Sequence, residues 1–118
     1  MPQLVLEYSS NIYEKDLTEL LKTINVFLSE NLPTQLSGCK SRAVAHNIYC
    51  VGNGMENQAF VHIRLQVLAG RTPEKLNEVG NHLMNMLKDF FIISLQKLTL
   101  EITIEISELA RTYLKYHH

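Results

Sequence analysis

The sequence is poor in the features that mark specialised chemistry. Cys39 and Cys50 are its only cysteines. They form neither a close pair nor a metal-ligand spacing, so they read as reduced, structural thiols of a cytoplasmic protein. No metal-ligating constellation, glycine-rich phosphate loop or Ser-His-Asp arrangement stands out, so neither a metal nor any other cofactor is expected. Charge of neither sign dominates: the formal net charge is −1 and like charges nowhere collect. That removes the electrostatic case for a nucleic-acid or anionic-membrane partner. No apolar run reaches the ~20 residues of a spanning helix, and the first residues lack the basic stretch and apolar core of a signal peptide. What is left is 118 residues, 46% of them apolar. They read as one soluble domain, residues 1–118, large enough for a real core but without room for a second.

Met1-Pro2 leads at once into the alternating run Gln3 to Tyr8, with Leu4 and Leu6 on one face of a strand. A proline at the head of a strand does least harm there, because its missing N–H costs no ladder bond. Ser9-Ser10-Asn11 reads as a turn and capping cluster. Leu17, Leu20, Leu21, Ile24 and Leu28 then recur at helical spacing, with Glu14, Asp16 and Glu19 near the N-terminal end, where the helix dipole favours acids. This helix is expected to stop around Asn31-Leu32-Pro33. Cys39–Val51 reads as a second strand and Gly52-Asn53-Gly54 as a sharp turn. A third strand spans Phe60 to Leu68, with Val61, Ile63, Leu65 and Val67 on one face and Phe60, His62, Arg64 and Gln66 on the other. Thr72-Pro73 opens a second helix, as cap and first helical residue, and Leu76, Val79, Leu83, Leu87, Phe90 and Leu95 carry it far. Leu98 to Ile106 alternates cleanly as a fourth strand.

The two helices superpose at a constant offset. From Leu17 to Leu76 is 76 − 17 = 59 positions, and Leu20 to Val79, Ile24 to Leu83 and Leu28 to Leu87 give the same difference, half of 118. The chain therefore reads as two strand–helix–strand units, roughly 1–58 and 59–118. Each unit must cross over through its helix, so its strands run parallel and both helices lie on one sheet face. The expected architecture is an α+β fold with a four-stranded sheet. Phe60, Val44, Ile48 and Leu68 fall near the other sheet face, and a partly apolar open face points to an oligomer.

Four stretches together resemble the tautomerase superfamily, and within it the 5-carboxymethyl-2-hydroxymuconate isomerase family. They are Met1-Pro2 before a strand, Gly38-Cys39-Lys40-Ser41-Arg42, Ala59-Phe60-Val61-His62, and Leu68-Ala69-Gly70-Arg71-Thr72 before a helix. The resemblance implies duplicated β-α-β units, a homotrimer whose sheets surround a channel, active sites at subunit boundaries, and an N-terminal proline as catalytic base. It matches Arg71 to one active-site arginine and Lys40 to a second. Lysine at position 40 is a departure that keeps the charge and loses the planar fork, and Arg42, on the same strand face, is the alternative for that role.

The chemistry suits those residue types. Moving a double bond along an unsaturated 2-hydroxy or 2-oxo acid needs one group that removes a proton and returns it elsewhere. A free α-amine titrates near ~8, and burial with neighbouring cations lowers it into the range of a usable base. A polycarboxylate substrate also calls for cations to bind its carboxylates and polarise the dienolate oxygen. With the offset of 59, Pro2 falls on Val61 and Arg71 on Ile12, so neither unit carries both groups.

Plainer readings stand beside these. Arg71 alone reads as a solvated turn residue, Lys40 and Arg42 as an exposed strand end or a subunit salt bridge. His46 and His62 read as hydrogen-bonded packing or interface histidines, Met84 and Met86 as apolar filler, and Glu101 and Glu105 as channel-lining or pairing acids. His117 and His118 receive no role. The expected activity is an isomerase of a 5-carboxymethyl-2-hydroxymuconate-type acid in aromatic-compound breakdown. The alternatives are a tautomerase of a smaller 2-oxo acid and a non-catalytic trimeric binding protein. One condition attaches to the catalytic reading: Pro2 is basic only if Met1 is gone.

Overall fold

Alternation decides the sheet. In the computed structural model, which describes all residues Met1–His118, Leu4 and Leu6 of β1 (Gln3–Ser9) are fully buried, as are Val61, Ile63 and Leu65 of β3 (Gln58–Val67), with Val67 nearly so. These two strands are the inner pair and run antiparallel. On the outside, β2 (Lys40–His46) pairs with β1 and β4 (Thr99–Glu108) with β3, both parallel, giving the order β2-β1-β3-β4. Each parallel pair is joined through a helix, because a parallel return cannot be made by a tight turn.

The helices cover the face that carries the buried leucines, isoleucine and valines. Within α1 (Leu17–Asn31), Leu20, Ile24 and Leu28 recur every three or four residues and are buried. Val79, Leu83 and Leu87 do the same in α2 (Pro73–Phe90). Burying one such side chain fully contributes about 1.5–3 kcal/mol, so the two stripes and the inner strands make one core. The second helix starts as its sequence reads: Thr72 accepts a hydrogen bond from the Lys75 amide at 3.1 Å, and Pro73 fills the first helical position.

Three local readings are corrected. The second strand ends at His46 rather than Val51, since β1 ends at Ser9 and the last bond of that edge runs from the Ser10 amide to the His46 carbonyl. Beyond it the residues have no ladder partner, and Ile48 is 97% exposed. The second helix breaks at Phe91, which is fully buried with φ −92° and ψ 27°; a short α3 (Ile92–Lys97) follows. Glu14 is not at the start of α1. Its carboxylate accepts from the Ile93 and Ser94 amides, each at 3.0 Å, and from the Ser94 hydroxyl, so it caps α3 instead.

The helix-free face is stitched by polar pairs across strands. His46 bonds Glu7 at 2.8 Å, His62 bonds Thr103 at 2.6 Å, and Arg42 donates to Gln3 at 2.8 Å. Phe60 lies half-buried among the His46 and Tyr49 rings. No helix is long and apolar enough to cross a membrane.

Candidate active site

Register brings three distant segments to one end of the sheet. Gln3 lies opposite Lys40 in the parallel pair, opposite Gln66 in the antiparallel pair, and Val67 lies opposite Glu108. The chain that enters β2, the chain that leaves β3 and the chain that leaves β4 therefore all meet the head of β1. Pro2 stands there, buried, and its carbonyl accepts from the Lys40 amide at 3.1 Å. Its missing N–H is no loss at this first position.

Arg71 reaches this corner through Gly70, whose φ of 118° is a conformation that side chains disfavour. One Arg71 nitrogen donates to the Leu68 carbonyl at 3.0 Å and another to the Leu32 carbonyl at 2.8 Å. The guanidinium is thus held between the end of β3 and the end of α1. Gly38 closes the other side: a Cβ there would come within 3.1 Å of the Met1 sulfur. The corner encloses a cavity of about 520 Å³ lined in part by Met1, Gly38, Lys40, Leu68 and Lys115.

The electrostatics follow from these placements. Burial lowers the pKa of the chain's terminal amine on Met1 below its ordinary value, and the positive charge of Arg71 lowers it further. Lys115 and Lys40 act in the same sense, while Cys39 opposes them. Burial conversely raises the Cys39 thiol, against the amine and Lys40. None of Arg71, Lys40 and Lys115 has a carboxylate within 4.0 Å; the ion pairs of the molecule lie elsewhere. A group of cations without acids favours a neutral amine and an anionic guest.

The structure brings Met1-Pro2, Lys40 and Arg71 together and holds Arg42 apart. Arg42 is exposed and bonded to the Gln3 side chain, and it is not among the charges acting on the amine. Lys115 is the member that the sequence did not single out; it lies in a tail without periodicity, and nothing local marks it. Two other clefts, of about 430 and 610 Å³, lie between α2 and β4 and beside the start of α1. Neither contains Pro2, Lys40, Arg42 or Arg71; of these four only Lys40 lines the 520 Å³ cavity, and Pro2 and Arg71 stand behind its wall. No three His, Cys, Asp or Glu side chains converge on a common point.

A four-stranded sheet of two parallel pairs, helices on one face and a proline heading an inner strand, is the fold of the tautomerase superfamily. A fused 4-OT assembly solved as a symmetric trimer shares it, with a TM-score of 0.69 at 13% identity over 97% of this chain and 90% of that one. The model of the 5-carboxymethyl-2-hydroxymuconate isomerase family matches residues 2–118, and the chain belongs to that family of isomerases. It is similar to the 5-carboxymethyl-2-hydroxymuconate Delta-isomerase of Escherichia coli, 31% identical over 113 residues, 95% of this chain and 90% of that protein. It is also similar to the crystal structure of a 5-carboxymethyl-2-hydroxymuconate isomerase from Deinococcus radiodurans R1, with a TM-score of 0.89 and 34% identity over 98% of this chain and 90% of that one.

Proposed function

We propose that the protein isomerises 5-carboxymethyl-2-hydroxymuconate, or an acid of that type, in the cytoplasmic breakdown of aromatic compounds, with Pro2 as the base after Met1 is removed. The observation that carries this reading is the terminal amine's position in a cation-lined cavity, where burial and Arg71 both favour its neutral form. Pro2 lies one residue further into the same strand and is itself buried, and with Met1 gone its ring nitrogen becomes the terminal amine at this corner. That nitrogen takes the proton of the 2-hydroxyl as the dienol becomes a 2-oxo group, and returns a proton to carbon at the far end of the conjugated system. The electron pair moves along the carbon chain, and nothing is consumed. Lys40 and Arg71 hold the carboxylates and the oxygen that gains charge. The proline ring keeps the amine from rotating away, which is the positional part of the catalysis.

The assembly belongs to the same proposal. Strands β2 and β4 each leave one edge unpaired, and partly buried apolar residues of β4 such as Ile102, Ile104 and Ile106 pack at the border of the core. An unpaired edge is a template for pairing with another chain, and a ring of three fits the trimeric relative. Each cavity would then lie at a subunit boundary.

The decisive comparison uses one chain in two forms whose identity is set by intact mass. In one, Met1 is gone; in the other it remains and acylates Pro2. Turnover of 5-carboxymethyl-2-hydroxymuconate, followed by its absorbance, is expected to be at least ~10²-fold faster in the processed form, the usual worth of a positioned base. Equal rates would remove Pro2 from the mechanism.

A further inference from the structure

We propose that Lys115, delivered by the C-terminal segment after β4, is the cation that binds the third carboxylate of the substrate and sets a preference for tricarboxylic over dicarboxylic acids. The inference rests on the reading of this cavity as the substrate site. A muconate has a carboxylate at each end, and a carboxymethyl branch adds a third. Three cations border the Met1-Pro2 corner: Arg71, Lys40 and Lys115. Arg71 spends two of its donors on the Leu32 and Leu68 carbonyls. The Lys115 ammonium has only the Met1 thioether at 3.6 Å, a weak acceptor. An ammonium lining a cavity without an acid partner is placed to take an anion.

The tail that carries Lys115 has neither helix nor strand, yet it is tied at two points before the lysine. The Leu109 amide donates to the Val67 carbonyl at 2.7 Å, which prolongs the β3–β4 ladder by one bond. The Gln3 amide nitrogen donates to the Tyr113 hydroxyl at 3.3 Å. The other end of that same Gln3 amide accepts from Arg42 at 2.8 Å. Arg42 therefore acts as a positioning residue: it orients Gln3, Gln3 holds Tyr113, and Tyr113 sets Lys115 against the head of β1. Met1 occupies the space between Lys115 and Gly38, which removal of Met1 opens to the branch carboxylate.

Calorimetry on the Met1-processed protein tests this without turnover, with propane-1,2,3-tricarboxylate and pentanedioate as probes. The tricarboxylate is expected to bind at least ~10-fold tighter than the dicarboxylate, and Lys115→Ala to weaken the tricarboxylate by about 10- to 100-fold, the worth of a charge-assisted contact. The dicarboxylate should be unaffected and Lys115→Arg should restore the preference. Because Lys115 is exposed, unfolding midpoints should match across the variants. With 5-carboxymethyl-2-hydroxymuconate the loss should fall on KM rather than kcat. Tricarboxylate binding that is absent in the parent, unchanged in Lys115→Ala, or weakened equally for both probes would overturn the proposal. A preserved calorimetric difference in a protein that turns over no such acid would leave Lys115 in place and sink the catalytic reading instead.

Discussion

Replacing Arg71 by methionine keeps the length of the stem and deletes the fork, and its two effects separate. The first is on stability. Leu32 is fully buried, so losing the 2.8 Å bond to its carbonyl strands a buried acceptor, at about 1–3 kcal/mol. Leu68 is 40% exposed, and water replaces the second bond for roughly 0.5 kcal/mol or less. A loss of about 2 kcal/mol over a urea slope of roughly 1.5 kcal/mol per molar moves the midpoint down by about 1–2 M at fixed protein concentration. The second effect is on protonation. Arg71 is the largest of the three charge effects lowering the terminal amine; without it the amine binds its proton at higher pH. On the proposed mechanism the base acts in its neutral form, so the acid limb of the kcat/KM profile of the processed protein should move to higher pH.

Arg71→Lys separates the two effects. It keeps the charge and therefore the position of the acid limb, but one ammonium cannot span both carbonyls, so part of the stability loss remains. The same lowered amine also acts on folding. An amine whose folded pKa lies below its unfolded value of 8.0 binds fewer protons when folded, so stability is lost as pH falls from about that value through the folded pKa. Arg71→Met should narrow this window. Urea titrations across pH and initial-rate profiles read both quantities. An Arg71→Met protein with the parental midpoint and the parental acid limb would refute the placement of the guanidinium.

Two further outcomes are expected. Glu14→Ala removes the acceptor of the Ile93 and Ser94 amides and of the Ser94 hydroxyl, and should destabilise the protein by about 1–2 kcal/mol with fastest hydrogen exchange over Ile92–Lys97; uniform exchange rates would argue against the cap. Cys50 is exposed, whereas Cys39 is buried with its thiol pKa raised. A thiol-reactive probe at neutral pH should therefore modify one cysteine rapidly and Cys39 only as the protein opens, and modification of both at the same rate would contradict the burial of Cys39.

Much of this architecture was legible in the residues, for local reasons. Period-two alternation marked the inner strands because a strand buried on one face must alternate, and helical spacing marked α1 and α2 because each buries one stripe. Thr72-Pro73 announced a helix start that the Lys75 amide bond realises. The isomerase family was equally legible, because its motifs lie in short contiguous stretches. The misreadings arose where a local pattern lacked its partner. Residues 48–51 form an apolar run that prolongs the strand pattern, but β1 has already ended beside them. Phe90 to Leu95 continue an apolar stripe, but Phe91 turns into the core and Glu14, far away in sequence, starts a new helix there.

The cavity at the head of β1 is another matter. Which groups are available can be read from the residues alone: one early proline, Arg71 after a glycine, Lys40 near Arg42, and a lysine in an unpatterned tail. It took the folded chain to bring Arg71 to a carbonyl 39 positions away, Gln3 to Tyr113 across 110 positions, and Lys115 to Met1 across 114. These meetings follow from strand order and register. One inner strand is parallel to its outer neighbour and antiparallel to the other inner strand, so three chain segments end at the same corner, and no local pattern in any of them records where the others stop.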